Sequence, residues 1–258
     1  MKVVIFAGGL GSRITEESHL KPKPMIEIGG RPILWHIMKI YETHGFNEFV
    51  VCLGYKGQVI KDYFMNYFNQ HSDITVDLGK NELMVHKTNV DQFKITLVDT
   101  GLHTLTAGRL HRIKDYIEDD DFFLTYGDGL ANIDLNKELE FHKNHGKIGT
   151  MSVVQPAGKF GALEFNDEKL VTNFKEKPKG DKSWINGGFF ILNKRIFDYL
   201  DDTYDNVMWE EEPLENLTKM GELMVYQHGG FWKCMDAMRD KIILEQMWND
   251  NDAKWKIW

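Results

Sequence analysis

Two cysteines and six prolines in 258 residues give no basis for a disulfide scaffold or a proline-rich linker. Cys52 lies inside an apolar run and Cys234 two places before Asp236, without zinc-site spacing, so both are expected as reduced thiols. No stretch reaches the roughly eighteen uncharged apolar residues of a membrane span. Met1-Lys2 passes directly into Val3-Val4-Ile5-Phe6-Ala7 with neither charged leader nor cleavage site, and a cytoplasmic location is expected. An excess of positive charge is missing too. The formal net charge of −8 argues against broad nucleic-acid binding, which needs a concentrated basic footprint. Internal repeats and low-complexity segments are also absent, leaving one compact domain over residues 1–258 as the simplest organisation.

What is present alternates. Residues 3–7 and 49–53 are continuous apolar runs that stop at Gly8-Gly9 and Gly54, the pattern of strands buried on both faces. Between them Pro32 suits a first helical turn, Ile33, Leu34, Ile37, Ile40 and Tyr41 recur at helical spacing, and Gly45 supplies the stop. Val59, Ile60, Tyr63, Phe64 and Tyr67 predict a second helix, and a strand at 95–98, a helix near 106–117 and a strand at 122–126 follow. This alternation predicts an α/β fold with a doubly wound, mostly parallel sheet. After residue 148 shorter β-rich segments near 150–155, 161–165, 170–175 and 188–192 predict antiparallel strands. Helices at 194–200 and 211–220, a strand at 222–227 and a closing helix at 237–249 complete the pattern.

Chemistry concentrates at the ends of these strands. Ala7-Gly8-Gly9-Leu10-Gly11-Ser12-Arg13 follows the first run, where open α/β sheets bind ligands and where glycine lets backbone N–H groups approach a phosphate. It is neither the dinucleotide fingerprint, because Ile14 stands where glycine is needed, nor a P-loop, because no Gly-Lys pair follows. In Lys21-Pro22-Lys23-Pro24 each proline pushes the preceding lysine toward extended geometry, so the charge is placed. Arg13 and Lys23 together suit a triphosphate and the charge of a departing pyrophosphate. Asp128, in Tyr126-Gly127-Asp128-Gly129, belongs at the carboxyl end of another buried strand. Asp236 follows a strand-like stretch and reads either as a second metal-binding carboxylate or as the N-cap of the closing helix. Asp119-Asp120-Asp121 and Glu210-Glu211-Glu212 read as solvated turns or helix starts, and His36, His86 and His142 lack ligand spacing. The aromatic tail Trp255-Lys256-Ile257-Trp258 must pack on its own body or on a neighbouring subunit.

Taken in order, the glycine-Arg13 loop, Lys21-Pro22-Lys23-Pro24-Met25, Tyr126-Gly127-Asp128-Gly129, Phe174-Lys175-Glu176-Lys177-Pro178, Asn186-Gly187-Gly188 and Asp236 resemble the sugar-phosphate nucleotidyltransferase family over nearly the whole chain. Ile33-Leu34-Trp35-His36, Gly54-Tyr55-Lys56-Gly57, Thr96-Leu97-Val98-Asp99-Thr100-Gly101 and Phe160-Gly161-Ala162-Leu163 are similar to the branch that joins CTP to glucose 1-phosphate. The resemblance implies a Rossmann-like core with a nucleotide-binding part over about 1–130, a small β-rich sugar-phosphate-binding part over about 131–258, Mg²⁺ as cofactor and a trimeric or hexameric homo-oligomer. It also implies a place in bacterial pathways to the dideoxysugars of surface polysaccharide. Carried over by position, Ala7, Gly8, Gly9, Gly11, Ser12, Thr104, Arg109 and Gly127 would hold the nucleotide, and Arg13 and Lys23 its phosphates. Asp128 and Asp236 would hold the metal, Lys177 the sugar phosphate, and Glu176, Asn186 and Gly187 the glucose. A relative using dTTP or UTP, or a non-catalytic sensor, remain the alternatives.

Overall fold

The apolar runs become strands because helices cover both of their faces. The computed structural model describes residues 1–11, 14, 17, 19–156, 162–175 and 184–258. Its strands are β1 (Val3–Phe6), β2 (Glu27–Ile28), β3 (Arg31–Pro32), β4 (Glu48–Leu53), β5 (Ser72–Asp77), β6 (Glu82–Thr88), β7 (Lys94–Asp99), β8 (Asp121–Tyr126), β9 (Gly129–Ala131), β10 (Gly149–Val154), β11 (Ala162–Phe165), β12 (Val171–Lys175), β13 (Ile185–Asn193), β14 (Leu223–His228) and β15 (Trp232–Cys234). Its α-helices are α1 (Ile33–Thr43), α2 (Gly57–Gln70), α3 (Thr106–Arg112), α4 (Leu135–His145), α5 (Glu212–Lys219) and α6 (Met238–Asn249).

Seven strands form one sheet in the order β14-β10-β13-β8-β1-β4-β7. All run in the same direction except β13, which is antiparallel to both β8 and β10. The α/β, mostly parallel mixed sheet expected from the sequence is thus present. The antiparallel character expected after residue 148 is confined in this sheet to β13, because β10 and β14 resume the parallel direction. The chain leaves β1 toward β4 on one side and returns to β8 on the other, so the carboxyl ends of β1 and β8 flank a topological switch point.

Alternating side chains of β1 feed two cores. Val3 and Ile5 pack with Ile33, Ile37, Tyr41, Leu244 and Trp255 on one face, and Val4 and Phe6 with Val50, Cys52, Leu110 and Trp209 on the other. Truncating a buried aromatic such as Phe123 to alanine would cost about 3–5 kcal/mol. Helix α1 begins directly after Pro32 and ends in a Schellman motif. There Phe46 N–H donates to Tyr41 O (3.0 Å), Gly45 N–H donates to Glu42 O (2.8 Å), and Gly45 takes φ +88°.

Two predicted elements changed on folding. The helix near 106–117 divides into α3 and a 3₁₀ turn at Lys114–Tyr116, and the one at 194–200 is a 3₁₀ helix, Lys194–Tyr199. Helix α4 and the β5–β6 hairpin were not read from the sequence. The tail packs on its own body. Trp255 is fully buried, its indole N–H donates to His36 Nδ1 (3.4 Å), and Trp258 meets Trp35 edge to face. His36 in turn donates from Nε2 to Ile28 O (2.8 Å), and burial pushes its pKa down to about 4, keeping the ring neutral. Trp248 of α6 fills the place where a side chain on Gly29 would stand, and Gly29 N–H donates to Glu245 (3.1 Å). The β2–β3 turn and helix α6 are thereby braced together.

Candidate active site

Gly8 lies at the end of β1, inside a lattice of backbone bonds. Ala7 N–H donates to Cys52 O (3.0 Å), Tyr55 N–H to Gly8 O (3.1 Å) and Gly127 N–H to Phe6 O (3.0 Å), so the loops after β1, β4 and β8 are joined. Arg109, on α3, completes the lattice from beneath. Its guanidinium donates to Leu53 O (2.8 Å), Thr100 Oγ1 (2.7 Å) and Gly8 O (3.1 Å). A Cβ on Gly8 or on Gly54 would fall within 3 Å of that guanidinium, which explains both glycines. Burial of Arg109 lowers its pKa, yet a guanidinium stays charged, and it sets a positive charge under the glycine loop. Gly9 is exposed with open space above it, and Gly11 takes φ +64°.

Lys23 opens a single 3₁₀ turn, Lys23–Met25, closed by Ile26 N–H donating to Lys23 O (3.1 Å). The extended lysine expected from the following proline is not what forms, since the segment closes as a turn in which Met25 N–H also donates to Pro22 O (2.8 Å). Its Nζ donates to Asp128 Oδ2 (2.6 Å) and Asp236 Oδ1 (2.8 Å).

Strand register brings the two aspartates together. β9 and β15 pair antiparallel with Gly129 opposite Cys234, and Met235 N–H donates to Asp128 O (2.9 Å), which places Asp128 and Asp236 on one rim. The N-cap alternative for Asp236 does not hold. Asp240, inside the first turn of α6, accepts from Asp236 N–H (3.2 Å) and Ala237 N–H (3.1 Å) and caps the helix itself.

Burial works against charge on Lys23, but Asp128 and then Asp236 hold its pKa above the ordinary value, so it is an ammonium. Its side chain is 13% exposed, against 26% for Asp128 and 45% for Asp236. Asp128, Cys234 and Asp236 each offer one ligand atom, all within 4.8 Å of one another. Two carboxylates that already share one cation fit a magnesium ion, which takes one or two carboxylates and leaves positions for phosphate oxygens. Burial, then the Asp128 charge, raises the Cys234 pKa; its sulfur does not suit magnesium, which takes oxygen ligands.

Asn186 and Gly187 follow Ile185 at the start of β13, which pairs with β10 there (Asn186 opposite Val153) and with β8 from Phe189 onward. Asn186 Oδ1 accepts from Gly188 N–H (2.8 Å), and Gly187 O accepts from the Trp232 indole (2.7 Å). Gly188, at φ +77°, lies against the Tyr126 ring, where a Cβ would come within 2.6 Å. Thr104 is buried beside Gly101 at the start of the segment leading to α3. Ser12, Arg13, Glu176 and Lys177 lie outside the described residues, as does the Phe160-Gly161 part of the fourth quoted motif.

One residue at this rim, Glu210, was missed, and Arg109, named for the nucleotide, has a bracing role that was not foreseen. Glu210, read as part of a solvated acidic run, accepts from the Tyr126 hydroxyl and from Thr106 Oγ1 (3.1 Å). Buried Arg109 acts on three loops at once. A long-range contact of an exposed glutamate leaves no sequence signal, whereas an arginine in the otherwise core-facing stretch Ala107–Leu110 is a readable one.

A switch-point crevice with a glycine loop, a placed lysine and two converging carboxylates is the equipment of a nucleotide-dependent transferase. The chain belongs to the nucleotidyl transferase family, whose model matches residues 2–250. Within it, the chain is 52% identical over 259 residues to the glucose-1-phosphate cytidylyltransferase of Salmonella typhimurium, covering all of both proteins. The fold is shared with two solved structures. HddC from Yersinia pseudotuberculosis has a TM-score of 0.70 at 24% identity, over 96% of this chain and 99% of that one. A UDP-glucose pyrophosphorylase complexed with UDP-glucose has 0.68 at 16%, over 97% and 98%. Among the described residues no helix is long and apolar enough to cross a membrane.

Proposed function

We propose that this protein transfers a cytidylyl group from CTP to α-D-glucose 1-phosphate, giving CDP-glucose and pyrophosphate. The observation that carries the chemistry is the meeting of Lys23, Asp128 and Asp236 beside the Gly8–Gly11 loop. The full-length identity to a named cytidylyltransferase carries the choice of substrates.

The reaction is an in-line displacement in which a sugar-phosphate oxygen attacks the nucleotide α-phosphorus and pyrophosphate leaves from the opposite side. No protein nucleophile takes part. The backbone of Ala7, Gly8, Gly9, Gly11 and Ser12, with Thr104, Arg109 and Gly127 around it, seats the nucleotide. Lys23 and Arg13 hold phosphate oxygens where negative charge grows. Asp128 and Asp236 would hold Mg²⁺, which supplies charge neutralisation at the phosphate oxygens when bound. Lys177 faces the sugar phosphate, and Glu176, Asn186 and Gly187 the glucose. Positioning the two substrates against each other supplies the remaining acceleration.

The chain acts as one domain over 1–258, with nucleotide chemistry in about 1–130 and sugar-phosphate binding in about 131–258. Supporting this, the sheet runs unbroken from β7 to β14. The setting is the cytoplasm, and the product feeds dideoxysugars of surface polysaccharide such as O-antigen lipopolysaccharide. A homo-oligomer, trimeric or hexameric, is supported by the β5–β6 hairpin, which exposes Val76, Leu78, Leu83 and Met84 alongside Met65 and Phe68 of α2. Light scattering of a variant with serines at Leu83 and Met84 should show a smaller particle, and an unchanged mass would exclude the hairpin as the contact.

The experiment for the activity is pyrophosphate release from glucose 1-phosphate with CTP, UTP, dTTP, ATP or GTP, with and without chelator. Strong preference for CTP, abolished by chelation, is expected. Release with another triphosphate alone would overturn the base assignment, and release with none would favour a sensor.

A further inference from the structure

The Lys23 ammonium is itself a cation seated between two carboxylates, at 2.6 Å from Asp128 and 2.8 Å from Asp236. These are charge-assisted hydrogen bonds from a compact point charge. A magnesium ion bound by the same two oxygens would stand about 2.0–2.1 Å from each and so in the space the ammonium occupies. Two cations cannot share that space. Resting on the reading that Asp128 and Asp236 hold the metal, we propose that Lys23 is the metal's internal competitor. Its ammonium closes the carboxylate pair to divalent cations in the free protein until an incoming triphosphate draws it away.

The ammonium moves from carboxylate to phosphate oxygens, and the carboxylates trade one cation for another. The movement needs only side-chain rotation along a flexible four-carbon stem, because the backbone of Lys23 is held by the 3₁₀ turn and by Pro22 and Pro24. The half-exposed Asp236 leaves the carboxylate pair open to solvent on one side, so a cation can enter once the ammonium leaves. Metal and triphosphate then favour each other's binding to the same degree, through Lys23.

The test uses Mn²⁺ with nucleotide-free protein, following loss of the free aquo-ion paramagnetic resonance signal. Lys23→Met is expected to bind one Mn²⁺ about tenfold or more tightly than the unaltered protein, since removing the competitor removes its coupling. Lys23→Gln, which keeps a polar side chain, should follow, with circular dichroism confirming that both are folded. Equal Mn²⁺ affinity in the unaltered protein and both variants overturns the proposal. Adding Asp236→Asn to Lys23→Met separates this from failure of the metal-site reading. Loss of the gained binding places the ion at the carboxylate pair and supports the competition, whereas retained binding means that the ion sits elsewhere and the metal-site reading fails.

Discussion

Among the described residues two lysines each bridge a pair of carboxylates, and only one pair is at the crevice. Lys39 of α1 binds Glu42 and Asp91, the latter at 3.0 Å, as Lys23 binds Asp128 and Asp236. The difference lies in how far the carboxylates are closed off from solvent. Asp91 also accepts from the Tyr67 hydroxyl and the Trp35 indole (2.7 Å), and its side chain is 16% exposed. Asp236 keeps nearly half its side chain exposed. A cluster sealed from solvent fixes structure, while one exposed on a rim is placed to meet a ligand.

The largest effect should come from breaking the crevice cluster. Lys23→Ala or Asp236→Asn should reduce turnover at least about a hundredfold, the scale of losing one transition-state contact. The melting temperature should move little. Turnover near normal in either variant would remove that residue from the chemistry.

Asp91→Ala should do the reverse. It takes the acceptor from the Tyr67 hydroxyl, leaves the Trp35 indole only Tyr67 (3.0 Å) and the Lys39 ammonium only Glu42, and denaturant unfolding should show a loss of about 1–3 kcal/mol with little change in turnover. Burial alone would raise the Asp91 pKa, but bonds from Tyr67, Trp35 and Lys39 lower it overall. Its contribution is therefore complete above the ordinary carboxylate value near 3.8 and disappears as pH falls through the lower folded value. A large kinetic defect without destabilisation would erase the contrast.

A third carboxylate sharpens the comparison because none of its described bonds is to a cation. Glu138 of α4 is fully buried, accepts from Ser152 Oγ (2.6 Å), and burial pushes its pKa up to about 7. A carboxyl with a raised folded pKa favours the folded state most at low pH. Its share of stability should fall as pH rises from about 4.5 to about 7, by at most about 1.4 kcal/mol per unit, and be level above that. Glu138→Gln should flatten this slope relative to the unaltered protein, read as paired denaturation midpoints across pH 5–8. Parallel curves for the two proteins would show that Glu138 does not titrate there.

What the sequence disclosed followed from burial. The runs at 3–7, 49–53 and 122–126 were readable because both faces of β1, β4 and β8 are covered, leaving no polar alternation to obscure them. The β5–β6 hairpin was not, since in β6 every residue is exposed and no periodicity is imposed. Helix α4 escaped for the opposite reason. Its buried positions are Leu135, Glu138 and His142, so the inward face carries polar residues and shows no apolar stripe. Lys23, Asp128 and Asp236 could be named from local motifs, but their meeting depends on the β9–β15 register, a pairing of residues about a hundred places apart. Asp236 could not be separated from a helix cap until Asp240 was seen in that role.

The guanidinium of Arg109 fills the space that side chains at both Gly8 and Gly54 would need. Gly8 and Arg109 consequently behave as one unit under mutation, whereas Gly54 also has the Gly8 carbonyl 2.7 Å from where its Cβ would stand. Once Arg109 is shortened, alanine at Gly8 should cost far less than it does alone, so the two effects should fall well short of additive, while alanine at Gly54 should stay costly. Divergence at this corner of the protein would then proceed by jointly tolerated changes, with each step's cost depending on which residue had changed before it.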